Sequence, residues 1–178
     1  MNLDDKTVLI IGSNADIDGR GLGAEIDSGM LADVVIRVNK AYGNAADVGT
    51  KTDVIFTRWR SWLQTGWFSE EQIKSACEVV ALNENFNFLE SWKRVAADEV
   101  GAATVSCGAA AVFYALVMGA REIKLIGFGF QDGAESGTDK IYCRNAFTHA
   151  AGTIDENAAF DFSAEREWLK KQALVTLL

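Results

Sequence analysis

The stretch Thr7-Val8-Leu9-Ile10-Ile11-Gly12 sets four branched apolar residues in a row against a glycine stop. It is too short for a helix, and its side chains favour extended backbone, so it reads as a buried strand. Apolar residues at successive rather than alternate positions mean that both faces are covered, which is the condition of a strand inside a parallel sheet. The same signature returns at Asp33–Val38, Asp53–Thr57, Glu78–Leu82 and Glu122–Ile126. Helical patterns lie between and beyond these runs. Ser69-Glu70-Glu71-Gln72 has the form of a capping box, in which the Ser oxygen and the Gln side chain satisfy free backbone donors. Phe88–Ala97 and Ala109–Met118 read as helices, and Ala164–Leu178 reads as a C-terminal helix packing Trp168, Leu169 and Ala173. Strands alternating with helices predict one α/β domain over residues 1–178, with a doubly wound, mostly parallel, Rossmann-like sheet.

Composition narrows the function. Seventeen Lys+Arg against 25 Asp+Glu give a net charge of −8. Excess negative charge disfavours phosphate backbones and anionic membranes as partners, and predicts no nucleic acid. A small anion is still compatible with it, because backbone N–H groups can hold one locally. Proline is absent, so turns fall to the 16 glycines and to Asn and Asp. No apolar run approaches the roughly 20 residues of a membrane span, and the acidic Asn2-Leu3-Asp4-Asp5 start is unlike a secretory signal. Cys77, Cys107 and Cys143 form no C-x-x-C pair, and only His149 could join them, so neither zinc nor a disulfide framework is expected. These features predict a reduced, cytoplasmic protein.

In a sheet of this kind ligands sit beyond the carboxyl ends of the strands. Three loops rich in Gly, Asn and Asp occupy that side: Gly12–Gly23, Asn39–Gly49 and Gly127–Gly137, the last of these following the final predicted strand. Within the first, Asn14-Ala15-Asp16-Ile17-Asp18-Gly19 with Glu25 approaches a calcium loop, but a strand precedes it and Asn opens it, so a polar loop is the better reading. Gly19-Arg20-Gly21-Leu22-Gly23 is spaced G-x-G-x-G and starts late after the strand, unlike a dinucleotide fingerprint. That weakens a nicotinamide-dependent oxidoreductase. His149, the one histidine, falls beyond the last of the predicted strands, on the ligand side.

Taken in order, these loops resemble the motifs of the animal-type sialyltransferase family. The first match runs through Ile11-Gly12-Ser13-Asn14, Ile17, Gly19-Arg20-Gly21-Leu22-Gly23, Ile26-Asp27-Ser28, Val35-Ile36-Arg37-Val38-Asn39 and Asp47-Val48-Gly49-Thr50-Lys51-Thr52. The second is Ser106-Cys107-Gly108, an apolar helix, then Ile123-Lys124-Leu125-Ile126-Gly127-Phe128-Gly129. Asp161-Phe162 and Glu165 extend it near the end. The resemblance implies a sialyltransferase-like fold and transfer of sialic acid, or a similar acidic sugar, from a CMP-sugar to an acceptor hydroxyl. Inversion is implied, with no metal and no cofactor beyond the donor. Gly12, Ser13, Asn14 and Asn39 would contact the nucleotide and its phosphate. Ser106, Cys107 and Gly108 would offer helix-start N–H donors to phosphate or carboxylate, and Gly127, Phe128 and Gly129 would line the cytidine pocket. Placed at that helix start, Cys107 is expected to be the most reactive of the three thiols when accessible.

The chain also departs from the family pattern. Ser13 and Asn14 are reversed, Cys107 replaces the usual Thr, and Val105 replaces the usual Pro. The family's linking disulfide would fall near Val8 and Gly119. Phe160 stands where the family has its general-base His, and phenylalanine cannot accept a proton. Proton transfer then falls to His149. The alternative is a non-catalytic module that keeps the CMP pocket and has lost the transfer.

Overall fold

The computed structural model describes residues 1–12, 17–39, 44–57, 63, 68–81, 87–103, 105–128 and 162–178. Its strands are β1 (Thr7–Ile11), β2 (Val34–Val38), β3 (Val54–Thr57), β4 (Glu78–Ala81), β5 (Glu122–Ile126) and β6 (Val175–Leu177). They form one six-stranded sheet in the order β4-β3-β2-β1-β5-β6. Every neighbouring pair is parallel, with Val8 opposite Val34 on one side and Ile123 on the other.

The continuous apolar runs are explained by two cores. On one face Val8, Ile10, Ile36, Val54 and Phe56 meet α5 (Cys107–Val117), with α4 (Asn87–Val100) and α6 (Phe162–Lys170) behind it. Ala109, Ala110, Ala111 and Ala115 are buried along α5, and such small side chains let a helix lie close to a sheet. Phe56 and Tyr114 close this layer with ring centroids 5.8 Å apart. On the other face Leu9, Ile11, Val35 and Ile126 pack with Ile17, Ile26 and Val48, which come from around two single-turn helices, α1 (Gly23–Asp27) and α2 (Ala45–Val48). The Ser69 capping box is formed at the head of α3 (Glu70–Ser75).

Several expectations need correction. The helix predicted over Ala164–Leu178 ends at Lys170, and β6 follows it. Trp168 and Leu169 are buried as expected, but Ala173 is exposed. The strand β5 is therefore not the last; the chain returns to lie along it, Ile123 N donating to Leu174 O at 2.8 Å and Leu178 N to Leu125 O at 2.9 Å. Asp33 and Asp53 precede their strands instead of opening them. Their carboxylates accept the N–H groups of Thr7 and Val35 at 2.8 Å. The helix α2 lies within the Asn39–Gly49 run, where only a loop was expected, and α1 begins at Gly23, where the first loop ends.

Candidate functional site

From β1 the chain lays β2, β3 and β4 outward on one side, then crosses back to place β5 on the other. The order reverses between β1 and β5, and a doubly wound sheet opens its ligand crevice beyond the carboxyl ends of such a pair. Gly12 follows β1 and Gly127 follows β5. They touch: Gly12 N donates to Ile126 O at 2.8 Å, and a Cβ on Gly12 would overlap the Gly127 carbonyl oxygen. Gly127 has φ +79°, a conformation glycine adopts without steric cost, and a Cβ there would meet Ile17 Cγ2 at 2.9 Å. Phe128 turns its ring toward the start of α5, where a Cβ on Gly108 would come within 2.9 Å of Cε1. Gly12, Gly108, Gly127 and Phe128, four of the predicted binding residues, are thus gathered at one corner.

Asn39 ends the adjacent strand, β2. Its φ of 55° is left-handed, its N–H donates to Phe56 O at 2.7 Å, and its Oδ1 is buried without a hydrogen-bond partner. Ser13, Asn14, Gly129 and His149 lie outside the described residues, as does Phe160.

At the start of α5, Ser106 is the N-cap, its Oγ accepting from Ala109 N at 3.2 Å. The carboxylate of Glu165 accepts the Ser106 N–H and, at 2.7 Å, the Ser106 hydroxyl. Glu165 is only 3% exposed. A carboxyl group thus sits at this helix start, where the dipole favours negative charge, and the chain itself supplies it. Cys107 is buried beside it, Cys77 is exposed and Cys143 lies outside the described residues, so the access on which the expected reactivity of Cys107 depends is closed.

The remaining motif residues hold the loops in place. Gly21 N donates to Asp47 Oδ1 at 2.9 Å, and a Cβ on Gly23 would overlap the Ala45 carbonyl oxygen. The G-x-G-x-G run therefore packs α1 against α2. Asn44 caps α2 and also donates to Asp47 Oδ2 at 2.9 Å. The N–H groups of Gly21 and Gly19, outweighing burial, hold the Asp47 carboxyl below its usual range. Arg37, on β2, is wholly buried. Its Nη2 donates to Val48 O at 2.8 Å and Gly49 O at 3.0 Å, and its Nε to Lys51 O at 3.1 Å and Thr52 Oγ1 at 2.9 Å. Burial pushes its pKa down to about 10, against the pull of Asp27. Asp27 in turn accepts Thr50 N at 2.6 Å and Lys51 N at 2.7 Å.

Sequence reasoning quoted Arg37, Asp47 and Glu165 within motifs but gave them no role. The signal for Arg37 was available: a cation amid Val34-Val35-Ile36 and Val38 demands acceptors. Of the calcium-like run, Asn14 and Asp16 lie outside the described residues, and Glu25 is exposed on α1. Among the described residues no three His, Cys, Asp or Glu side chains cluster as metal ligands, and no helix is long and apolar enough to cross a membrane.

Comparison with known proteins agrees with this fold. A mammalian sialyltransferase, crystallised in complex with Gal-beta-1-3GalNAc-ortho-nitrophenol, shares the fold with a TM-score of 0.60 at 18% identity, over 98% of this chain and 69% of that one. No curated protein matches the sequence. The sequence model of glycosyltransferase family 29 (sialyltransferase) matches residues 4–93, which span β1 to β4 and half of the chain. The chain belongs to glycosyltransferase family 29, the sialyltransferases.

Proposed function

We propose that the protein transfers sialic acid, or a similar acidic sugar, from a CMP-sugar to an acceptor hydroxyl with inversion. In that reaction the acceptor oxygen attacks the anomeric carbon and the bond to the CMP phosphate breaks. CMP departs with the bonding electrons, and the acceptor's proton passes to a base. We assign the base role to His149, since Phe160 stands where the family has its histidine. The observation that carries the reading is the corner formed by Gly12, Gly127, Phe128 and Gly108. There two backbones approach without side chains beside an aromatic ring, at the order reversal of a family 29 sheet. These close approaches lie beyond the carboxyl ends of β1 and β5, the side on which a doubly wound sheet binds its ligand. Metal independence and a cytoplasmic location belong to the same proposal and rest on the motif resemblance and cysteine usage.

The test begins with binding. CMP at a hundredfold excess over its dissociation constant should stabilise the fold by about 2.7 kcal/mol, with UDP and NAD doing less. CMP release from CMP-sialic acid, with and without candidate galactosides, then reports turnover. His149→Ala should abolish turnover and leave CMP affinity nearly intact. Phe160→His should raise turnover, by up to the roughly 10²–10⁴-fold a general base supplies. A melt shifted by NAD and not by CMP would overturn the reading. CMP binding with no turnover in any variant would instead identify a non-catalytic CMP-binding module.

A further inference from the structure

The helix α6 places one carboxylate inside the molecule. Glu165 is buried and takes both polar hydrogens of Ser106, the N–H and the hydroxyl. A buried carboxylate with charge-assisted hydrogen bonds is a strong, directional tie. Its partner occupies a particular place. Ser106 caps α5, two residues before Gly108, whose bare Cα lies against the ring of Phe128. Phe128 follows Gly127, which touches Gly12 across the strand ends. A contiguous set of contacts therefore runs from α6 through the head of α5 to the crevice wall.

We propose that Glu165 is a positioning residue: by locking Ser106 at the head of α5 it holds Gly108 against Phe128 and so sets the wall of the donor crevice. The donor part of this inference rests on the CMP-sugar reading; the lock itself does not. With Glu165 in place, the head of α5 acts as a fixed support for Phe128. Without it, the Ser106 N–H and hydroxyl lose their acceptor, and the first turn of α5 opens more often than the rest of the fold.

Cys107, buried in that first turn, reports the opening, and exposed Cys77 provides an internal control. Alkylation of the full chain, read by peptide mapping, should be roughly 10- to 100-fold faster at Cys107 in Glu165→Ala than in wild type, as expected for loss of a buried charged hydrogen-bond acceptor. Cys77 labelling should not change. Glu165→Gln keeps a carbonyl oxygen for the Ser106 N–H and should restore most of the protection. Ser106→Ala keeps the N–H contact and should fall between. Cys107 labelling at the wild-type rate in Glu165→Ala overturns the lock, as does an acceleration no greater than the loss of global stability in a urea melt. Calorimetry with CMP tests the consequence: Glu165→Ala should weaken binding by about tenfold or more, and Glu165→Gln should recover it. Unchanged affinity alongside accelerated labelling overturns the positioning role. Failure of wild type to bind CMP overturns the donor reading, and the labelling still decides the lock.

Discussion

Arg37 and Asp27 form a clasp around the loop that leaves α2. Burying a guanidinium costs several kcal/mol, and here three carbonyls and one hydroxyl offset part of that cost, while Nη1 is buried without a partner. A continuous apolar run already required acceptors for its one cation, so the existence of the clasp was readable in the sequence. Which carbonyls would serve was not, because the 48–52 loop reaches β2 only through tertiary packing. Asp27 makes the clasp sensitive to pH. Burial alone would raise its carboxyl, but the N–H groups of Lys51 and Thr50 outweigh that and hold it below the usual 3.8. A carboxyl depressed on folding adds stability above its unfolded pKa, and loses that contribution as pH falls through the lower folded value. Wild type should therefore exceed Asp27→Asn in urea melts at about pH 7, with the gap narrowing as pH falls below the usual 3.8. A gap of constant size across that range would mean that the carboxylate charge contributes nothing.

The same capping chemistry has unequal weight in different elements. Ser69 heads α3, which has no buried residue, whereas Asn44 heads α2, where Asp47 and Val48 are buried. Asn44 also steadies the carboxylate that receives Gly21 N, so α2, α1 and the Gly19–Gly23 loop depend on it together. Asn44→Ala should lower global stability by about 1–2 kcal/mol, while Ser69→Ala should barely move the denaturant midpoint, since α3 can fray without exposing core. Equal effects would refute this ranking. Single-turn helices such as α1 and α2 escape periodicity because they are shorter than the pattern that reveals a helix. The misread β6 has a different cause. Val175-Thr176-Leu177 follows a helical run with no Gly or Asn between, and its extended form comes from the open edge of β5, a partner far back in the sequence. By contrast β1 to β3, buried at every position, carried their own signal, as did the shorter apolar runs of β4 and β5. Of the candidate site, Gly12, Gly108, Gly127 and Phe128 were marked by the motif resemblance, and the close approaches at the three glycines give the physical reason for those residues; the Glu165 tie joins two distant segments, and nothing in the sequence showed that Ser106 would be its partner.

At the scale of the whole molecule, an acidic chain carries a crevice proposed for an anion. With a net charge of −8 the long-range field repels a CMP-sugar, while the attraction is confined to groups within the crevice. Raising salt from about 10 mM to about 150 mM shortens the Debye length from roughly 30 Å to 8 Å, which screens the repulsion more than the contacts. CMP should therefore associate faster as salt rises, the reverse of a phosphate-backbone binder; stopped-flow rates falling with salt would show that local positive charge dominates. The sheet order also governs how the chain is made. On one side Ile11 lies opposite Arg37 of β2, which is synthesised soon after it, but on the other side its partner is Ile126 of β5. At about 5–20 residues per second, a ribosome needs on the order of ten seconds to deliver β5 after β1. Throughout that interval the central strand of the finished sheet is an apolar edge with unpaired backbone, the condition that invites mispairing between nascent chains. Gly12 and Gly127 come together only when it ends.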